Sequence, residues 1–257
     1  MRKINNAGCF FCLHRLRRFA RFFTGIIAHV PLQLQPAQGV FLRYDERGLS
    51  LCKAGEKGVV QVDFAAGAAE YRRTKGGGEL IAKAVNHTTQ PVVWDATGGL
   101  GRDSFVLASL GLHVCTFEQN PAVFALLADG LHRAQKQPAL APIVSRITLI
   151  HGNAAQQFAT RIAQGKPDVV YLDPMYPERQ KSAAVKKEMA YFHELVGLSE
   201  AQNDVELLQA ACAVAKKRVV VKRPRLGDFL CKKQPAYQYT GKSTRFDVYL
   251  PTGTQIA

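Results

Sequence analysis

The amino-acid sequence predicts an α/β fold with a mainly parallel sheet, an antiparallel strand at the carboxyl end and a small β-rich unit at the amino end. Strand-like and helical runs alternate from residue 91 onward, the final runs form a hairpin pattern, and β-rich runs also occur before residue 65. Alternation of strands and helices is typical of βαβ units with parallel strands. The chain has 257 residues, 47% of them hydrophobic, and is long enough to bury a full core.

Residues 1–38 form a basic segment that differs from the rest of the chain. The sequence has no acidic residue before Asp45. The apolar run over residues 22–28 is followed by His29 and Pro31 and is far shorter than the roughly 20 residues of a membrane span. A basic amphipathic helix that docks on RNA, a weak export signal and a poorly ordered extension all remain open, and we favour the first and the third.

Residues 39–90 are predicted to form a small α+β unit. The runs at 40–44 and 59–64 are rich in β-branched and aromatic residues, and Gly48 and Gly55 mark turns between them. A helical stretch at 79–85 completes the unit.

Residues 91–257 carry the repeating strand and helix pattern of the main domain. Strands are predicted at 92–94, 113–117, 147–150, 169–172 and 218–221, with helices near 103–110, 121–135, 154–164, 185–196 and 204–215. The runs at 237–239 and 245–250 predict a closing antiparallel hairpin.

A glycine-rich turn follows the first strand of this domain. An acid and then small residues occupy every second position, and the turn runs directly into a helix: Asp95, Thr97, Gly99 and Gly101, then Arg102 and Asp103. Glycines let a ligand approach the backbone and the helix amides. The turn resembles the first motif of Rossmann-like S-adenosylmethionine (SAM) methyltransferases, whereas its spacing differs from the G-x-G-x-x-G of dinucleotide-binding folds.

Polar residues end the second and third strands. Glu118 lies 23 residues after Asp95 and is placed to accept hydrogen bonds from both ribose hydroxyls of an adenosine cofactor. A carboxylate there also repels the 2′-phosphate of NADP. Asn153 follows the third strand and either bonds the adenine edge or caps the next helix; both roles are compatible.

The loop Asp173-Pro174-Met175-Tyr176 ends the fourth strand abruptly. It resembles the Asp/Asn-Pro-Pro-Tyr/Phe loop of methyltransferases that act on exocyclic amines of bases, with Met175 in place of the second proline. The lone pair of such an amine is delocalised into the ring. Acceptors on its N–H groups, here the Asp173 carboxylate and the Pro174 carbonyl, favour a pyramidal nitrogen, and Tyr176 stacks on the base. We therefore expect Asp173, Pro174 and Tyr176 to be catalytic.

Basic residues predict a polyanionic partner. Lys and Arg number 34 against 20 Asp and Glu, a net charge of +14. The candidates for RNA contact are Arg72, Arg73, Lys75, Lys181, Lys186, Lys187, Lys222, Arg223, Arg225 and Arg245.

Taken together, these motifs resemble one family, the bacterial 16S rRNA guanine-N2 methyltransferases of the RsmJ (YhiQ) type. The similarity covers roughly residues 39–250, and its most specific parts are Gly-Leu-Gly-Arg-Asp at 99–103 and Asp-Pro-Met-Tyr-Pro at 173–177. It implies a Rossmann-like class I fold and SAM-dependent methylation of guanosine N2 near the 3′ end of 16S rRNA. The cofactor contacts that it implies are Arg102, Asp103, Glu118, Gln119, Asn153, Ala154 and Asp173. Asn153-Ala154 stands where the family often has two serines, and residues 1–30 do not match the family's start.

Two other functions remain open, an NAD-dependent oxidoreductase and a non-catalytic RNA-binding module. The leading hypothesis implies SAM as cofactor, 16S rRNA or the small ribosomal subunit as partner, and no metal or membrane. The six cysteines include only one C-x-x-C pair and no zinc-ligand spacing, which favours a reducing, cytoplasmic location. The oligomeric state is left open.

Overall fold

The computed structural model describes residues 38–65, 79–174, 190–191, 194–195 and 201–251. A small sheet contains β1 (Val40–Asp45), β2 (Gly48–Lys53) and β3 (Val59–Val60). A large sheet contains β4 (Val93–Asp95), β5 (Val114–Glu118), β6 (Ile147–His151), β7 (Val169–Leu172), β8 (Arg218–Pro224), β9 (Tyr237–Thr240) and β10 (Thr244–Tyr249). The helices are α1 (Glu79–Val85), α2 (Arg102–Ser109), α3 (Pro121–Gln135), α4 (Ala141–Val144), α5 (Ala154–Arg161) and α6 (Ala201–Val214).

The large sheet has the order β6-β5-β4-β7-β8-β10-β9. Strands β6, β5, β4, β7 and β8 are parallel, while β10 is antiparallel to both β8 and β9. This arrangement confirms the predicted fold class. The chain leaves β4 toward β5 and β6 and then returns to β7, so the strand order reverses at β4. Open α/β sheets bind ligands at such a reversal, beyond the carboxyl ends of the strands.

Helices cover both faces of the large sheet, and this explains why β7 is apolar without interruption. Val170 and Leu172 face a core that includes Trp94, Phe158 and residues of α6. Val169 and Tyr171 face the opposite core, together with residues of α1 and α2. A strand buried on both faces does not alternate between apolar and polar residues.

The small sheet packs on α3. The amide of Leu49 donates to Asp129 Oδ2 across 3.0 Å, and the Arg133 Nε donates to the same oxygen across 2.8 Å. Gly130 allows the closest approach, because a Cβ at this position would lie 2.3 Å from Val62 Cγ1. A contiguous apolar core joins the small sheet to α3.

Helix α1 packs on the large sheet and not on the small one. Its Ile81, Ala84 and Val85 share a core with Val220 and Val248 of β8 and β10. The predicted domain boundary near residue 90 therefore does not separate two cores, because α1 precedes residue 90 in the chain and yet packs on the large sheet. The apolar spacing within α1 shows that it buries one face but not which sheet it covers.

Two predicted segments lie wholly or mostly outside the described residues: the basic segment 1–38 and the helix at 185–196. Within the described part of the chain, no helix is long and apolar enough to cross a membrane.

Candidate active site

The glycine turn after β4 is held against β5. The Gly98 amide donates to the Phe117 carbonyl across 2.8 Å, and a Cβ on Gly98 would lie 2.6 Å from Thr116 Cγ2. Gly99 and Gly101 have φ values of +51° and +72°, which favour glycine. Among the described residues, apart from its chain neighbours, the only atom within 4 Å of the position of a Gly99 Cβ is the Thr97 carbonyl oxygen at 3.9 Å, so the turn is open on its outer side.

Asp95, the last residue of β4, holds this turn in place through hydrogen bonds. Its side chain is buried, and its oxygens accept from the Thr97 amide across 3.1 Å and from Ser104 Oγ across 2.5 Å. Burial raises the pKa of Asp95 to about 7, although the hydrogen bonds from Ser104 and Thr97 oppose the shift. The buried position favours a role in holding the turn over direct contact with a ligand.

Glu118 reaches across from the end of β5 to the same turn. Its Oε2 accepts from the Gly99 amide across 2.8 Å and its Oε1 accepts from the Asn120 amide across 2.7 Å. Burial raises the pKa of Glu118, and the amides of Asn120 and Gly99 oppose this shift. Each carboxylate oxygen can accept a second hydrogen bond, so the group can still bind a diol.

Asn153 takes the helix-capping role and also contacts the loop after β5. Its Oδ1 accepts from the Gln156 amide across 3.4 Å at the start of α5, and its Nδ2 donates to Gln119 Oε1 across 3.1 Å. Ala154, the first residue of α5, is buried. The Asn153–Gln119 bond links the carboxyl ends of β5 and β6 along one side of the turn.

Thr97 joins the glycine turn to the loop after β7. Its Oγ1 accepts from the Asp173 amide across 2.6 Å. The predicted cofactor turn and the predicted catalytic loop are therefore in direct contact, with their positions fixed relative to each other.

Lys222 of β8 lies between two acidic side chains. Its Nζ donates to Asp103 Oδ2 across 2.6 Å and to Asp173 Oδ2 across 2.7 Å. The Tyr171 hydroxyl also donates to Asp103 Oδ2, across 2.7 Å. Burial lowers the pKa of Lys222, but the carboxylates of Asp173 and Asp103 more than offset this effect, so the net shift is upward and the ammonium stays charged.

A pocket of about 230 Å³ opens beside this cluster. Lys222 and Asp103 form its polar wall, and the turn between β9 and β10 forms its rim. Its lining residues are Leu80, Ile81, Asp103, Val106, Lys222, Gly241, Lys242, Ser243, Thr244 and Phe246.

Two of the arginines expected to contact RNA are instead buried. Arg245 forms a pair of hydrogen bonds with Asp247, across 2.8 and 3.1 Å, and also donates to the Arg225 carbonyl across 2.9 Å. Arg223 is 6% exposed and its Nε donates to the Asp228 carbonyl across 3.0 Å. Both side chains brace the turn after β8 from inside the fold, which does not favour phosphate contact by either.

Among the expected RNA contacts, Arg225 is exposed and Lys222 points into the acidic cluster. Tyr176, Arg72, Arg73, Lys75, Lys181, Lys186 and Lys187 lie outside the described residues.

Sequence reasoning missed the central position of Lys222 and the contribution of Tyr171. A signal for Lys222 was present: it directly follows three valines at the carboxyl end of a strand, at the same sheet edge as Asp173. Tyr171 gave no such signal, because a tyrosine in an apolar strand is typical of a core.

The fold and the site together define the class of protein. A sheet of this order, with a glycine turn after β4 and an acid after β5, is the Rossmann-like arrangement of class I methyltransferases. A family model described as "Putative SAM-dependent methyltransferase" matches residues 25–251. The chain belongs to this family of SAM-dependent methyltransferases.

Several relatives support this assignment. A protein of Neisseria meningitidis serogroup C named "Ribosomal RNA small subunit methyltransferase J" is 66% identical over 226 residues, which cover 88% of this chain and 90% of the relative. A protein of Marinobacter nauticus with the same name is 47% identical over 234 residues, covering 88% and 82%. The crystal structure of a SAM-dependent methyltransferase from Neisseria gonorrhoeae matches with a TM-score of 0.78 and 58% identity, covering 94% of this chain and 93% of that chain.

The residues present fit SAM as the cofactor. The open outer side of the turn at Gly99 leaves room for a ligand against the backbone, and the Glu118 carboxylate stands beside it. Family membership leaves an NAD-dependent oxidoreductase and a non-catalytic module without support.

Proposed function

We propose that the protein methylates the exocyclic N2 of a guanosine in small-subunit (16S) ribosomal RNA. The observation that carries this proposal is the position of Asp173, whose partly exposed carboxylate is fixed beside the glycine turn. The name ribosomal RNA small subunit methyltransferase J, shared by the relatives from Neisseria meningitidis and Marinobacter nauticus, and the +14 net charge support an RNA substrate of the small subunit. The RNA or the assembled subunit would then be the partner, and the cytoplasm the location.

On this proposal, residues along the carboxyl edge of the sheet hold the cofactor. Glu118 would accept hydrogen bonds from the ribose hydroxyls, and Gln119, Asn153 and Ala154 would hold the adenine. Arg102 and Asp103 at the start of α2 would hold the methionine part. SAM supplies an electrophilic methyl group on a sulfonium centre when it is bound.

Asp173 and Pro174 prepare the amine for attack. The Asp173 carboxylate and the Pro174 carbonyl accept from the N–H groups of the guanine amine, which directs the nitrogen lone pair toward the methyl carbon. Such acceptors are most effective when positive charge develops on the nitrogen in the transition state. With SAM bound, formation of the N–C bond would be balanced by cleavage of the C–S bond, and the surplus amine proton would leave to water past the partly exposed Asp173. Tyr176 stacks on the base.

The exposed edge around the site provides the RNA contacts. Arg225 and Lys242 are exposed on two adjacent turns, joined by a hydrogen bond of 3.0 Å from the Arg225 amide to the Ser243 carbonyl. These side chains suit phosphate binding, which positions RNA without reading its sequence.

Mass mapping of modified nucleosides tests the proposal. Small-subunit rRNA from a strain that lacks the gene should lose one N2-methylguanosine, which wild-type protein restores and Asp173→Ala does not. Purified protein should then methylate deletion-strain RNA or subunits in vitro, and a comparison of the two identifies the substrate form. An unchanged set of modified guanosines would contradict the proposal.

A further inference from the structure

A hydrogen-bond donor and an acceptor stand side by side at the edge of the pocket. The Lys222 ammonium lies 2.7 Å from Asp173 Oδ2, and the two side chains are 24% and 39% exposed. Both side chains are therefore partly exposed, and Lys222 lines the pocket. Among the described contacts, the bonds to Asp103 and Asp173 use two of the three N–H groups of the ammonium. A further acceptor can bind the third.

Both groups are held in place by the protein. Lys222 is anchored by Asp103, whose Oδ2 also accepts from the buried Tyr171 hydroxyl. The backbone of Asp173 is anchored by Thr97 Oγ1 across 2.6 Å. The anchors come from α2, β7 and the glycine turn, so the spacing of the donor and the acceptor is set before any substrate binds. Preorganised groups of this kind distinguish ligands better than mobile ones, because no ordering cost is paid on binding.

The Watson–Crick edge of guanine has the complementary arrangement. It presents two adjacent donors, the N2 amine and N1–H, followed by the acceptor O6. A carboxylate beside an ammonium therefore matches this edge, with the two carboxylate oxygens on the donors and the ammonium on O6. Enzymes that act on an unstacked base read it through such contacts.

We propose that Lys222 is a specificity residue that donates to guanine O6 while Asp173 accepts from the N1–H and N2–H groups. This inference rests on the proposed function and adds to it the means by which the site selects its base. The same pair disfavours adenine, whose N6 amine would meet the Lys222 ammonium and whose unprotonated N1 would meet the carboxylate. Both mismatches leave polar groups unpaired in a partly buried site, which is the strongest basis for discrimination between similar bases.

A substrate analogue that changes O6 alone tests the contact. In an RNA with 6-thioguanosine at the target position, a sulfur replaces O6 and accepts hydrogen bonds weakly, while N1–H and the N2 amine remain. Lys222→Met removes the donor and keeps the length of the side chain. Lys217→Met is the matched control. Lys217 also forms an ion pair with an aspartate, Asp168 at 3.3 Å, but it lies just before the amino end of β8, whereas Lys222 lies toward the carboxyl end.

Single-turnover rates at saturating SAM and limiting RNA provide the readout. Wild-type protein and Lys217→Met should methylate the guanosine RNA about 10-fold or more faster than the thio RNA, as expected for loss of a hydrogen bond to a charged group. Lys222→Met should methylate guanosine RNA more slowly than wild type does, and its rates on guanosine RNA and thio RNA should be nearly equal. Lys222→Arg, which retains a charged donor, should keep much of the preference and also serves if the methionine variant does not fold.

Equal preference for oxygen over sulfur in wild type, Lys222→Met and Lys222→Arg would overturn the inference, since the lysine would then only position Asp173. This outcome differs from failure of the proposed function, in which wild-type protein would not methylate N2 of the unmodified guanosine at all.

Discussion

The backbone N–H of Asp173 and the Oγ1 of Thr97 lie 2.6 Å apart and join two loops that are 76 residues apart in sequence. Thr97 stands in the glycine turn and supplies a hydroxyl that a glycine there would lack. This hydrogen bond therefore couples the cofactor turn to the catalytic loop.

Thr97→Val should lower the methyl-transfer rate while it leaves the shape of the side chain nearly unchanged. The valine cannot accept from the Asp173 amide, so the loop loses an anchor worth about 0.5–1.5 kcal/mol. Thr97→Ser keeps the acceptor and should retain most of the activity. Single-turnover rates, corrected for the folded fraction, measure the effect; equal rates for valine and serine would show that the hydroxyl has no part in positioning Asp173.

Glu118→Ala should weaken SAM binding by about 1–3 kcal/mol, the range for hydrogen bonds to a charged group. The variant loses the proposed contact with the ribose and also the bond from the Gly99 amide that holds the turn. Glu118→Gln keeps one acceptor oxygen and should lie between alanine and wild type. Isothermal titration calorimetry measures the affinities, with Glu46→Ala as an exposed control. An unchanged affinity in a folded variant would exclude Glu118 from the cofactor site.

Asp95 makes the stability of the protein depend on pH. Its pKa is about 7 in the folded protein, against about 4 for an ordinary aspartate. Between these values the folded state retains a proton that the unfolded chain has released, so stability falls as the pH rises and levels off above about 7.

Asp95→Asn removes this titration. The stability of the variant relative to wild type should therefore increase by about 1 kcal/mol per pH unit between about pH 4.5 and 6.5. Urea unfolding at several pH values measures the difference. A difference that does not change over this window would mean that Asp95 ionises normally in the folded protein.

Arg225→Ala combined with Lys242→Ala should flatten the salt dependence of RNA binding by about 1.4 units in a plot of log K against log[salt], at about 0.7 per contact with single-stranded RNA. Both side chains are exposed on adjacent turns at the carboxyl edge. Lys166→Ala with Lys216→Ala removes two exposed charges that precede β7 and β8, at the amino edge, and should leave the slope unchanged. Equal effects of the two pairs would indicate nonspecific attraction.

Features with local sequence signals could be predicted: the parallel strands, the glycine turn, and Glu118 and Asp173 at the sheet edge. Strand periodicity and the residues that end each strand are visible within short windows, and parallel strands bring their carboxyl ends to one edge. The different environments of Lys222 and Arg223 depend instead on the face of the sheet to which each side chain points. Adjacent strand residues point to opposite faces, so Lys222 meets Asp103 of α2 while Arg223 lies on the other side.

The burial of Arg245 also arises from pairing between distant segments. Strand β10 is antiparallel to β8 in a register that places Arg245 opposite Arg223, and Asp247 lies two residues further along β10. The positions of charged residues in the sequence do not reveal which strands pair. Sequence alone therefore predicts that Arg223 and Arg245 are exposed and available to RNA.

Asp173→Ala should leave a folded protein in which methyl transfer is about 100- to 1,000-fold slower, the usual effect of removing one transition-state contact. The carboxylate acts where positive charge develops on the amine, so its loss affects the chemical step more than the binding of either substrate. Rates must be measured in single turnovers at saturating SAM and RNA, because Asp173 is also an expected cofactor contact and some loss of SAM affinity would not decide its role.

Asp173→Asn separates hydrogen bonding from charge. The asparagine keeps an acceptor oxygen of similar position but no longer balances Lys222 at 2.7 Å. If hydrogen bonding to the amine dominates, asparagine should retain clearly more activity than alanine. If the negative charge dominates, because it stabilises the cationic nitrogen formed during transfer, the two variants should be equally slow. A near wild-type rate for Asp173→Ala would reject the catalytic role, and the loop would then only end the strand.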